Sequence, residues 1–152
     1  MKLATALSER ADLQRRLSEL QSRLVNNAKV QEGDEPAESP AVLVEEMDTL
    51  LECLERTISR INLTNSAVRF EGKTMTELLA RRDCLSKRLK IMRTFLEAAS
   101  TKVDRYSQKE IKILSTVKVA DLQRQVDADS KELRELDEQI QALNWTTELI
   151  ES

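Results

Sequence analysis

Apolar side chains recur along this chain at steps of four and three residues, the period that lines one face of an α-helix. Leu3, Leu7, Leu13, Leu17, Leu20 and Leu24, with Arg10 in the same register, predict a first amphipathic helix over residues 3–30. Residues 31–40 place Gly33, Pro36 and Pro40 among four acids, which breaks the helix and predicts a solvated loop. Ser39 before Pro40 reads as an N-cap with proline in the first turn. A second seam follows through Leu43, Met47, Leu50, Leu54, Ile58, Ile61 and Asn65, ending where the chain turns polar at 62–65. Val68, Phe70 and Gly72 alternate briefly, and Thr74 and Glu77 then stand at the spacing of a capping box. They predict a third helix running to residue 103 through Leu78, Arg82, Leu85, Leu89, Met92 and Leu96, its stripe widened by Phe95 and Ala99. Over 110–119 the period changes: Ile111, Ile113, Val117 and Val119 fall on one side, with Ser115 the polar exception, so a β segment is expected inside a connection spanning 104–118. Leu122, Val126, Asp129, Leu133, Leu136, Ile140 and Leu143 return to helical steps and give a fourth helix.

The pattern predicts a mainly all-α protein, a single helical domain over residues 1–152. Its four long helices form an up-down bundle or paired coiled-coil-like hairpins. A helix of about 28 residues is roughly 42 Å long, so in an up-down bundle the pieces at 68–72 and 110–119 lie at opposite ends and cannot pair. A lone strand leaves backbone groups unsatisfied, and the remedies are an irregular loop or pairing with the same segment of a second copy. A homo-oligomer in contact through 110–119 is therefore expected.

Composition supports helices: of 152 residues 34% are charged, only 3% aromatic, and Gly and Pro number two each. The net charge of −3 and pI near 5.2 provide no basic excess, so bulk nucleic-acid binding is not expected. Charge is segregated along the chain. Residues 1–30 carry six basic and three acidic side chains, 31–72 three and ten, 73–118 twelve and five, and 119–152 three and nine. This alternation favours packing of sequence neighbours and makes the run Arg81, Arg82, Lys87, Arg88, Lys90, Arg93 a complemented face. The polar start and the short apolar runs predict neither an export signal nor a membrane span, hence a cytoplasmic protein without membrane contact. Cys53 and Cys84 read as reduced core or flank residues rather than a disulfide or metal site, and no cofactor is expected. With no histidine, and with Tyr106 and Lys109 too thin a pair to name, no catalytic cluster emerges.

Three polar residues interrupt the seams. By the rise per residue, Arg10 and Arg82 fall near one end of such a bundle, while Asp129 is displaced from Arg82 by about 9 to 15 Å, too far to pair. Arginines in a seam need counter-charge. One reading gives them snorkelling or bonds to Glu9, Glu77, Asp83 or helix carbonyls. The other makes Arg10 and Arg82 an anion-binding pocket, with Asn62, Asn65 and Asn144 as amide partners and Trp145 as a lid. The sequon matches at Asn62 and Asn144 read as helix-end polar groups.

Arg-Ala-Asp-Leu-Gln-Arg-Arg-Leu from residue 10, Val-Gln-Glu-Gly-Asp-Glu-Pro at 30–36, Ile-Asn-Leu-Thr-Asn at 61–65, Arg-Tyr-Ser at 105–107 and Leu-Asn-Trp-Thr-Thr-Glu-Leu at 143–149 resemble a family of small bacterial proteins. The resemblance covers nearly the whole chain and implies a bacterial origin; members have no settled role, and some carry the label septicolysin. That label implies a membrane-damaging toxin, whereas this sequence lacks the long apolar segment and aromatic content that interfacial binding employs. The function expected is a non-enzymatic helical scaffold or interaction protein that self-associates and docks a protein partner. The alternative is a binder or enzyme acting on a small anion.

Overall fold

A computed structural model describes residues 1–100 and 111–152. The element order is α1 (Leu3–Asn26), α2 (Pro40–Ala67), β1 (Arg69–Phe70), β2 (Lys73–Thr74), α3 (Met75–Ser100) and α4 (Val119–Thr146). The mainly α class and the four helices agree with the hydrophobic seams. The chain forms two compact units, residues 1–75 with 141–152, and residues 76–140.

In the first unit α1 and α2 lie antiparallel. Leu20 packs with Leu43 and Leu50, and Leu13, Leu17, Leu24 and Met47 close around them. The link between the helices is tied down. Helix α1 stops at Asn26, short of residue 30, because Asn27 turns the chain: its Nδ2 donates to the Arg23 carbonyl at 2.8 Å and its Oδ1 accepts the Glu38 amide at 3.0 Å. Helix α2 starts at Pro40 after Ser39 as expected. No Ser39 side-chain cap bond forms, and the Ser39 carbonyl accepts the Leu43 amide at 3.1 Å. At its other end α2 runs through the polar residues 62–65 to Ala67. Thr64, fully buried, donates its hydroxyl to the Arg60 carbonyl at 2.8 Å and accepts the Ile150 amide at 2.9 Å. Both hydrogen-bonding roles of this buried hydroxyl are thus filled.

The segment after α4 returns to seal this end. Leu3 donates its amide to the Thr147 carbonyl at 2.9 Å, and Leu149 donates to the Met1 carbonyl at 2.8 Å. A β-bridge pairs Lys2 with Glu148.

A β segment does exist, but not where the alternating pattern was strongest. Among the described residues 111–118 there is no strand; Ile111, Ile113 and Leu114 are exposed, and residue 110 lies outside the description. The sheet is the local hairpin β1–β2, antiparallel, with Arg69 opposite Thr74 and Phe70 opposite Lys73. Alternation alone cannot hold a strand without a partner for its backbone. At 69–74 a tight turn supplies one: Glu71 (φ 49) and Gly72 (φ 83) both take the left-handed conformation required by a two-residue loop of the hairpin type.

In the second unit Leu89, Leu96 and Val126 are buried together, with Met92, Val119, Leu122 and Leu133 against them. Helices α3 and α4 run antiparallel. Phe95 is exposed rather than part of the stripe, so the α3 seam is narrower than expected. The Arg105–Ser107 motif, Tyr106 and Lys109 lie outside the described residues.

Candidate functional site

The polar seam residues are divided between the two units, Arg10 in the first and Arg82 and Asp129 in the second. In the second unit Arg82 Nε lies 3.4 Å from Asp83 and 3.8 Å from Asp137 on α4. Asp129, the buried acid of α4, accepts from Arg88 Nε at 3.0 Å and from Gln125 Nε2 at 3.0 Å. Its counter-charge thus comes from a half-exposed arginine whose head still reaches water, which reduces the desolvation burden on the pair. Arg81 pairs with Glu132 at 2.7 Å, and this contact holds its guanidinium proton more firmly than usual.

Arg10 is half-buried on α1 in the first unit and makes no ion pair among the described residues. Asn62 is exposed and Asn65 half-buried on α2; Asn144 is half-buried and Trp145 exposed in the last turn of α4. Among the described residues no side-chain hydrogen bond joins any two of the five candidates of the first unit, Arg10, Asn62, Asn65, Asn144 and Trp145.

A different constellation lies between α1 and α2. A groove of about 600 Å³ is walled on the α1 side by Thr5, Ser8, Glu9, Asp12, Leu13 and Arg16. Cys53, Arg56, Thr57 and Arg60 form the α2 side. The residues are spaced by three and four because each wall is one helix face. Arg56 and Arg60, one turn apart, also line a neighbouring groove of about 470 Å³ with Glu52, Glu55 and Glu151. Arg60 is braced: its Nε donates to the Glu151 carbonyl at 3.1 Å. Thr57 donates its hydroxyl to the Cys53 carbonyl at 2.9 Å, leaving its oxygen able to accept. Asp12 is engaged by Arg15 at 2.5 Å. Arg16, Arg56 and Arg60 have no carboxylate partner among the described residues. Arg56 and Arg60 flank the α2 seam at Leu54, Ile58 and Ile61, and Arg16 flanks the α1 seam at Leu13 and Leu17; an arginine pair four apart is the signal the sequence carries for them.

Two helix faces also carry exposed apolar residues among charges of one sign. On α2 Val44 and Leu51 are exposed beside Glu45, Asp48, Glu52 and Glu55. On α3 Ile91 and Phe95 are exposed beside Lys87 and Lys90.

Two carboxylates of the first unit titrate below the ordinary range. Glu38 is held down by hydrogen bonds from Arg23, which also lies 3.5 Å from Glu46, and Glu148 by Lys2 with help from the Met1 amino group. Among the described residues no three metal-ligating side chains gather, and no helix is long and apolar enough to cross a membrane.

These features define a class: a mainly α-helical protein with leucine-rich seams and polar chemistry in open grooves. The chain belongs to DUF6847, a family of unknown function, which matches residues 10–149. It is similar to a functionally unknown conserved protein from Corynebacterium diphtheriae known from a crystal structure, with 41% identity over 99% of each chain and a TM-score of 0.88. No curated protein matches. The expectation of an uncharacterised bacterial family therefore stands, and neither match bears the septicolysin label.

Proposed function

We propose that the protein is a non-enzymatic, cytoplasmic helical interaction protein that associates with a second copy of itself. The observation supporting this is the complementarity of two exposed faces. Val44 and Leu51 of α2 sit among acids, and Ile91 and Phe95 of α3 sit among lysines. An apolar stripe loses free energy in water, and flanking charges of one sign select a partner stripe flanked by the other. One chain carries both halves, so a second copy offers the match. The proposed contact is between α2 of one copy and α3 of the other. Two free thiols suit a reducing compartment.

Light scattering on a size-exclusion column tests this. A mass of at least twice 17.4 kDa is expected at micromolar protein and low salt, falling as salt rises. Ile91→Glu and Leu51→Lys should each return the monomer. A wild-type protein that stays monomeric sinks the proposal.

A further inference from the structure

We infer that the α1–α2 groove is a binding site for a phosphate dianion, free or as the terminal group of a small organic phosphate, held by Arg56 and Arg60 with Arg16 opposite. The site is independent of the self-association proposed above. Like charges four apart on a helix repel by a few tenths of a kcal/mol, and among the described residues neither α2 arginine has a carboxylate within ion-pair distance, although Glu52, Glu55 and Glu151 line the adjoining groove. An anion between them removes the repulsion.

Charge in the groove favours the same occupant. This groove itself is lined by three guanidinium groups and two acids, one of which, Asp12, is already engaged by Arg15, while Glu52, Glu55 and Glu151 line the adjoining groove. Arg60 is oriented in advance, since its Nε is committed to the Glu151 carbonyl while both terminal nitrogens stay available for a bidentate contact. Guanidinium groups match the planar spacing of phosphate oxygens better than lysine does. The remaining walls suit a small polar body: the hydroxyls of Thr5, Ser8 and Thr57 can bond an alcohol or phosphate oxygen, and Leu13 offers an apolar strip. A space of about 600 Å³ lies within the usual range for small-ligand pockets.

Isothermal titration of the full chain with inorganic phosphate, ribose 5-phosphate and ribose tests the site, with circular dichroism to verify each variant's fold. Saturable phosphate binding with Kd of about 1 mM or tighter is expected. Arg56→Gln and Arg60→Gln should each weaken it about tenfold or more, Arg56→Lys less, and Arg134→Gln in the other unit not at all. Tighter binding of ribose 5-phosphate than of phosphate identifies an organic phosphate as the ligand; equal affinities identify the free ion. Either result supports the inference provided that ribose alone does not bind. Absence of saturation, or binding equally weakened by Arg134→Gln, overturns it.

Discussion

Helices α1 and α2 are joined by residues 27–39, pinned through Arg23, Asn27 and Glu38, and their far end is tied to the segment after α4, on the α1 side by backbone bonds and on the α2 side through Thr64 and Arg60. Helices α3 and α4 present a different economy. Among the described residues their contact includes the seam around Leu89, Leu96 and Val126 and cross-helix side-chain bonds such as Arg88–Asp129 and Arg93–Ser130. Backbone closure uses groups that every residue has and loses little side-chain entropy. Long ion-pairing side chains lose more, and their exposed pairs return under about 1 kcal/mol each. The first hairpin is thus fastened at both ends, and among the described residues the second depends on its leucines and on those side-chain pairs.

The largest expected effect follows from that dependence. Leu89→Ala and Leu20→Ala, equally buried, should each cost about 2–5 kcal/mol. Urea denaturation measures both, and a loss well under about 2 kcal/mol for Leu89→Ala would break the claim that the second hairpin depends on this seam. Next come two isosteric changes at the sealed end. Thr64→Val takes away the acceptor of the Ile150 amide and should cost about 1–3 kcal/mol. Thr147→Val removes a buried hydroxyl that has no hydrogen-bond partner among the described residues, and should be neutral or stabilising by up to about 1 kcal/mol. Equal effects in urea titrations would refute the assigned roles.

The smallest effect concerns pH. Glu38 and Glu148 titrate lower in the folded protein than in the unfolded chain, where a glutamate titrates near about 4.3, so the unfolded state binds more protons in that window. Their contribution is complete above the unfolded value and is lost as pH falls through the folded ones. Thermal melting from neutral pH to pH 3 should show Tm falling below about 4.3. A double Glu38→Gln, Glu148→Gln variant should melt lower at neutral pH and show a shallower acid decline.

Much of the fold was legible in the sequence because burial and periodicity coincide. Every seam position named for α4, Asp129 included, is buried or half-buried. The loop at 31–40 was equally clear, since two prolines and a glycine leave a helix few options. The β hairpin was harder to place. Residues 111–119 have the stronger alternation, but only 69–74 have the turn that brings a partner strand. Phe95 fits the helical period and still faces water, because the period defines a stripe without fixing its width. The groove arginines were illegible for another reason: they flank a seam, where charged residues are the norm, and gain significance only when Arg16 of α1 is opposite.

The two thiols fall one in each unit, Cys53 half-buried in the groove wall and Cys84 exposed on α3. Because they differ in accessibility, mild reagents should modify Cys84 first and Cys53 after it, so two different fluorophores can be attached without introducing or deleting a residue. Energy transfer between them then serves as a molecular ruler for rearrangement, and a dye on Cys53 reports directly on whatever enters the space beside it.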